Sequence, residues 1–349
     1  METAARPRPA VGAGAHGRGE RPMRMGAGAR LRRWTRQWAV ALALILVSGT
    51  VFSFVYNAAT GAAVPPPPGL RYVQTGDLRT RYDQWGTTGS PVVLVHGFVE
   101  SADSWSATAR LLAHDHRVYA IDVDGFGYTQ RVAPYDTAHL ATQLLDFIAA
   151  LHLARPVLVG HSSGAAIIAA AALRAPDSVG AVLFLDGDGL PLSGNRHLPG
   201  SLGPPGTTVL RLVLRSDAAI RLIYAETCGP RCPALDAAGV EQWRRPFQVP
   251  GAQSAIWQVL SAGIPALTPG RLAALANLAQ VPKAVVFGAD DPEYGPGAAA
   301  QTAARIGAPA PLLIPAARHL TMISDPAAVA AAVDTLAERA QTTRSNTVP

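Results

Sequence analysis

Gly160-His161-Ser162-Ser163-Gly164 sets one hydroxyl between two glycines, after the apolar run Val157-Leu158-Val159 and before the small-residue run Ala165 to Ala172. This is G-x-S-x-G at a point where a buried strand hands over to a helix, the context in which the pattern carries chemistry. A serine hydroxyl becomes a useful nucleophile when it is held clear of the backbone, beside a base, at a helix mouth whose free N–H groups receive negative charge. Gly160 and Gly164 leave room for the cramped turn this requires. The N–H of Ser163, one residue past the nucleophile, is then placed to donate to an oxyanion. The chemistry implied is acyl transfer from Ser162.

Such a serine needs a base and an acid, expected later in the chain in the order acid, then histidine. The strand-like run Ala284-Val285-Val286-Phe287 ends in Gly288-Ala289-Asp290-Asp291-Pro292, and Asp291 is read as the acid. Its neighbour Asp290 competes for the role, and Asp186, after another strand, is a third option. The run Pro311-Leu312-Leu313-Ile314 leads through a short loop to Arg318-His319-Leu320, so His319 is the general base. A neutral His319 takes the serine proton, while the carboxylate behind it selects the tautomer and steadies the imidazolium. The second oxyanion donor is the N–H of Phe98, which follows the strand Val92-Val93-Leu94-Val95 and the tight bend at Gly97. His96 reads as a brace for that loop. No metal or organic cofactor is required.

These residues resemble the α/β-hydrolase superfamily, in the group that carries a helical cap. The resemblance rests on His96-Gly97-Phe98, Asp122-Val123-Asp124-Gly125-Phe126-Gly127, Gly160-His161-Ser162-Ser163-Gly164, Gly288-Ala289-Asp290-Asp291-Pro292 and His319, and covers residues 70 to 340. It implies an α/β fold with an eight-stranded, mostly parallel sheet flanked by helices, Ser162 as nucleophile, Asp291 as acid, His319 as base, and Phe98 and Ser163 as oxyanion donors. Asp122-Val123-Asp124-Gly125 departs from the pattern, since relatives often have a proline before the glycine. Members of the superfamily that dehalogenate alkyl halides or open epoxides use an aspartate at the elbow; a serine there favours acyl transfer.

A second signal precedes the enzyme. Trp38 to Tyr56 carries no charge and is rich in Ala, Val, Leu, Ile and Phe, within the roughly 17 to 25 residues that span a bilayer as a helix. Trp34, Trp38 and Tyr56 sit near its ends, and Arg30, Arg32, Arg33 and Arg36 crowd one side, which assigns that side to the cytoplasm. Residues 1–36 hold nine arginines and two glutamates, a net of +7 against +6 for the whole chain, which leaves −1 for everything else. The basic charge therefore belongs to the tail and speaks for membrane orientation, with no nucleic-acid partner for the folded part. The organisation expected is a disordered tail over 1–36, a signal-anchor helix over 37–57, a Pro-rich linker over 58–69, a core over 70–189 and 280–340, a helical cap over 190–279 and a disordered tail over 341–349. Secretion after signal-peptide cleavage near Ala58, Ala59 and Ala62 is the alternative.

Within the cap, Thr208 to Ala225, Gly239 to Trp243, Gln253 to Ala262 and Pro269 to Leu278 read as helical, and Tyr224, Trp243, Phe247 and Trp257 are candidates to line a pocket over Ser162. Cys228 and Cys232, the only cysteines, suit a short-loop disulfide in an oxidising exterior. The function expected is a membrane-anchored serine hydrolase acting outside the cytoplasm on a small apolar carboxylic ester, lipid-derived esters among them. A C–C bond hydrolase or an amidase or peptidase with the same triad is one alternative. A non-catalytic membrane-anchored binding protein of the same fold is another.

Overall fold

Apolar runs of four to six residues, each followed by a helical stretch, dictate a sheet buried on both faces, because alternate side chains of every strand need their own cover. The computed structural model describes residues 27–191 and 203–347 and shows that arrangement. Two units divide the chain, one ending at Phe52 and one beginning at Ser53. Helix α1 (Ala27–Thr60) runs across this division. Its segment Arg30–Thr60 is long and apolar enough to cross a membrane. A 34-residue helix measures about 50 Å.

The second unit holds β1 (Arg71–Thr75), β2 (Leu78–Trp85), β3 (Ser90–Val95), α2 (Ser106–Leu112), β4 (His116–Ile121), α3 (Thr137–Ala150), β5 (Val157–His161), α4 (Gly164–Arg174) and β6 (Ala181–Leu185). After these come α5 (Gly203–Arg215), α6 (Asp217–Cys228), α7 (Ala237–Arg244), α8 (Ala252–Ala262) and α9 (Pro269–Ala273). The chain closes with β7 (Lys283–Gly288), α10 (Ala298–Ile306), β8 (Leu312–Ile314), α11 (Thr321–Ser324) and α12 (Pro326–Thr347). The eight strands form one sheet in the order β1-β2-β4-β3-β5-β6-β7-β8. β2 runs antiparallel to β1 and β4, and all other neighbours are parallel.

Strand alternation builds a core on each face. Val93, Val95 and Leu158 pack with residues of α3, α4 and α10, such as Leu144, Ile167 and Ala303. Val92, Leu94 and Val159 pack with Leu112 of α2 and Val333 of α12. The strand order reverses between β3 and β5, so the loops leaving their carboxyl ends diverge and open a crevice between them. Both Phe98 and Ser162 lie just past those ends.

Several boundaries differ from the sequence reading. The first helix starts at Ala27, inside the expected tail, and continues through Thr60, into the expected linker. The expected disordered segment 341–349 is helical as far as Thr347, where it continues α12; residues 341–347 include no Gly or Pro to break the helix. Thr208–Ala225, read as one helix, is two: Ser216 adopts extended backbone and its side chain accepts the Ala219 N–H at 3.1 Å, so it caps α6. The run from Pro269 leaves the α-helix at Ala273 and finishes as a 3-10 turn. Residues 1–26 of the tail, 192–202 of the cap and the last two residues lie outside those described. Cys228 and Cys232 form a disulfide at the end of α6, and Cys228 is buried against the same core face as α12.

Candidate active site

β5 ends at His161 and α4 begins at Gly164, which leaves two residues for the turn. Ser162 takes φ +50° to make it, a left-handed backbone that costs a non-glycine residue free energy and persists only where neighbours hold it. One holder is β6, whose Leu185 carbonyl accepts the Ser162 N–H at 2.9 Å. A Cβ on Gly164 would stand 2.6 Å from the Val95 carbonyl oxygen, so α4 can approach β3 only with glycine there. Gly164→Ala is therefore expected to lower the thermal midpoint in a circular-dichroism melt, by roughly 2–4 °C for each kcal/mol of strain introduced.

His319 sits on the loop between β8 and α11. Its Nδ1 lies 2.8 Å from Oδ2 of Asp291, which follows β7. The other Asp291 oxygen accepts the Glu293 N–H at 2.8 Å. The His319 main chain is gripped from two sides: its N–H donates to the Thr227 carbonyl of α6 at 3.0 Å, and its carbonyl faces His161 Nε2 at 2.7 Å. Ser162, Ser163, Phe98 and His319 all line one cavity of about 380 Å³. Among the described residues, neither the Phe98 nor the Ser163 N–H donates to a protein acceptor.

The structure separates the three carboxylates that the sequence left in competition. Asp290 is exposed. Asp186 is wholly buried and spent on structure: it accepts the Gly288 N–H at 2.7 Å, the Thr321 N–H at 3.2 Å and the Thr321 hydroxyl at 2.5 Å, and so ties β6 to β7 and α11. Burial pushes its pKa up to about 6. Only Asp291 touches the His319 ring. His96 braces its loop: Val123 N–H can only donate, so Nε2 accepts it at 2.9 Å, and Nδ1 carries the proton to the Gly97 carbonyl at 2.7 Å. Burial lowers its pKa further, which keeps it neutral.

Asp122-Val123-Asp124-Gly125 holds its loop with carboxylates where a proline would have done so by rigidity. The buried Asp122 accepts the Ala102 N–H at 2.7 Å, the Tyr128 N–H at 2.6 Å and the Arg81 guanidinium at 3.2 Å. Of the aromatic candidates, Tyr224, Trp243 and Phe247 line the cavity and Trp257 does not.

One buried pair escaped the sequence reading. His161 Nδ1 lies 2.7 Å from Oε1 of Glu100, directly beneath the elbow. Since His161 faces an oxygen at each ring nitrogen, only its protonated form can donate to both. Burial is the largest single influence and would lower its pKa, but the Glu100 carboxylate, helped by Asp186 and the His319 carbonyl, outweighs it and raises the pKa to about 9. Burial likewise opposes ionisation of Glu100, and the His161 charge overcomes it, leaving that carboxyl below its ordinary value. A signal was available: β5 is otherwise wholly apolar and fully buried, so a histidine ending it needs a partner.

Residues 92–332 match the model of an alpha/beta hydrolase family. The chain belongs to that family. The chain is 28% identical over 110 residues to the esterase YbfF of Escherichia coli, a match covering 32% of this chain and 43% of the relative. It is 35% identical over 125 residues to a 2-hydroxy-6-oxo-2,4-heptadienoate hydrolase of Pseudomonas putida, covering 34% and 45%. The matches thus span less than half the length of these relatives. The crystal structure of a membrane phospholipase A superimposes with a TM-score of 0.62 at 21% identity, covering 89% of this chain and 99% of that one; at that identity the likeness speaks for the fold.

Proposed function

We propose that this chain is a serine hydrolase that cleaves a carboxylic ester through an acyl-enzyme. The observation that carries the reading is the left-handed Ser162, opening into the same apolar cavity as a His319 whose far nitrogen is bonded to Asp291. Ser162 Oγ attacks the ester carbonyl carbon while its proton passes to His319 Nε2. Asp291 holds Nδ1–H and stabilises the imidazolium. The carbonyl oxygen, now negative, takes hydrogen bonds from the N–H groups of Phe98 and Ser163. Collapse breaks the C–O bond, and His319 returns the proton to the leaving alcohol. Water then repeats the sequence on the acyl-serine and frees the acid.

The lining favours an apolar, uncharged ester. Leu190, Val213, Leu214, Ile220 and Ile256 contribute hydrocarbon, and among the described residues the lining holds the carboxylates Glu100 and Glu293 but no lysine or arginine to receive an anionic substrate. The reading includes a retained membrane anchor: the apolar span Arg30–Thr60 crosses once, its arginine-flanked end in the cytoplasm and the catalytic unit outside. The Cys228–Cys232 disulfide suits that oxidising side.

The experiment is labelling with a fluorophosphonate probe, which phosphonylates an activated serine. Wild type should label and Ser162→Ala should not. A folded wild type that stays unlabelled, or a Ser162→Ala variant that labels equally, would sink the proposal.

A further inference from the structure

The cap helices α5 and α6 each have two apolar sides. Leu210, Val213 and Leu214 of α5, with Ile220 and Tyr224 of α6, face the cavity. On the outer side, Val209 and Leu212 of α5 are 61% and 48% exposed, and Leu222 and Ile223 of α6 are 62% and 55% exposed. A helix on a water-soluble surface puts polar residues there. Ile223 belongs to both sets, since it is exposed and also lines the cavity. The cavity therefore reaches the surface at this apolar face.

Two further observations say what covers it. The last turns of α1, from Ser53 onward, belong to the catalytic unit and are bonded to α5. Arg211 Nη1 donates to the Asn57 carbonyl at 2.5 Å, and Asn57 Nδ2 donates to the Pro204 carbonyl at 2.8 Å. Phe54 and Val55, in those same turns, are 61% and 64% exposed. The end of the apolar span is thus fixed to the helix that presents Val209 and Leu212. The second observation is charge: Arg215, one turn beyond Leu212, is exposed, and a cation bordering an apolar face suits lipid head groups.

We propose that the outer face of α5 and α6 lies in the boundary between head groups and acyl chains of a lipid bilayer, and that the acyl part of the substrate enters the cavity from the lipid past Ile223. This deepens the proposed function and rests on its membrane anchor and ester chemistry. The substrate class it implies is an ester of a long-chain acid dissolved in the membrane.

The test uses the full chain reconstituted in phosphatidylcholine–phosphatidylglycerol vesicles. Both native cysteines are bound in the disulfide, so Leu212→Cys and Glu338→Cys can each be labelled alone with bimane. Glu338 borders a surface hollow with Lys283, the first residue of β7, and so marks the edge of the sheet opposite the site. Vesicles containing doxyl-labelled lipid should quench the label at Leu212→Cys and leave that at Glu338→Cys untouched. Equal quenching at the two positions overturns the proposal, as does a Leu212→Cys chain that forms disulfide-linked dimers in place of being quenched.

Activity gives a second readout. The triple variant Val209→Ser, Leu212→Ser, Leu222→Ser alters no residue of the cavity lining. It should keep its turnover of a water-soluble p-nitrophenyl ester and lose about tenfold on a long-chain ester held in vesicles; equal effects on both substrates overturn the proposal. Failure of the underlying reading looks different. A wild type that floats with vesicles and is quenched, yet turns over neither ester, retains the membrane contact and removes the chemistry. One that does not float removes the anchor and the contact together.

Discussion

Asp291→Asn should lower kcat on a p-nitrophenyl ester by about 10⁴-fold, because an amide in place of the carboxylate favours the wrong imidazole tautomer and removes the charge that steadies its protonated form. Asp290→Asn should leave kcat close to wild type, since that side chain points to solvent. The contrast is sharp because the two residues are adjacent in sequence and share a turn, so backbone disturbance would affect both. Asp186→Asn tests the remaining candidate. Its carboxylate accepts three hydrogen bonds from β7 and α11, so its loss should show first as a lower midpoint of thermal unfolding. Equal kcat for Asp291→Asn and wild type would remove Asp291 from the proposed mechanism.

Glu100→Gln should destabilise the catalytic unit by about 3 kcal/mol, the cost of leaving one member of a buried ion pair without its partner. With a neutral amide opposite Nδ1, His161 keeps only the more distant Asp186, 4.0 Å from Nε2, as a counter-charge and gives up its proton more readily. When the ring loses its proton, Nε2–H still donates to the His319 carbonyl and Nδ1 accepts an N–H of the new amide, so what is lost is the ion pair and not a hydrogen bond.

The pH dependence follows. The folded-state pKa of His161 is about 9, above its ordinary 6.5; its contribution to stability is complete below pH 6.5 and disappears as pH rises through 9. Glu100, shifted down from 4.5, contributes above pH 4.5 and loses that contribution as pH falls through its folded value. Asp186, raised from 3.8 to about 6, works the other way and favours the folded state most below pH 3.8, with that advantage gone above pH 6. The alkaline limb thus belongs to His161 among these three. The midpoint of wild type should fall between pH 6.5 and 9, and Glu100→Gln should flatten that limb. A variant whose midpoint falls as steeply as wild type over this window would contradict the pair's charge.

Much of the fold was legible because its signals are local. Strand runs such as Val92–Val95 and Val182–Leu185 alternate nothing polar and read directly as buried parallel strands. The elbow announces itself through two glycines and a small-residue helix, since the constraint that selects those residues acts within five positions of chain. The apolar span before the folded unit is equally local, a property of nineteen successive residues. Helix ends were read less well: α12 continues to Thr347 through residues that neither favour nor forbid it, and the break at Ser216 depends on a cap that only the backbone turn completes.

Three matters lay with the tertiary structure alone. Asp291, Asp290 and Asp186 all follow strands, so the sequence put Asp291 first but left the other two open; Asp291 alone meets the His319 ring, because β7 and β8 are neighbours in register. Glu100 and His161 are 61 positions apart and pair because β3 and β5 lie side by side at the point where the strand order reverses. The two apolar sides of α5 and α6 are indistinguishable by periodicity, and burial of one against the cavity leaves the other bare. Sequence patterns report forces acting between residues close along the chain, whereas these choices are made by contacts between residues that only the packed sheet brings within reach.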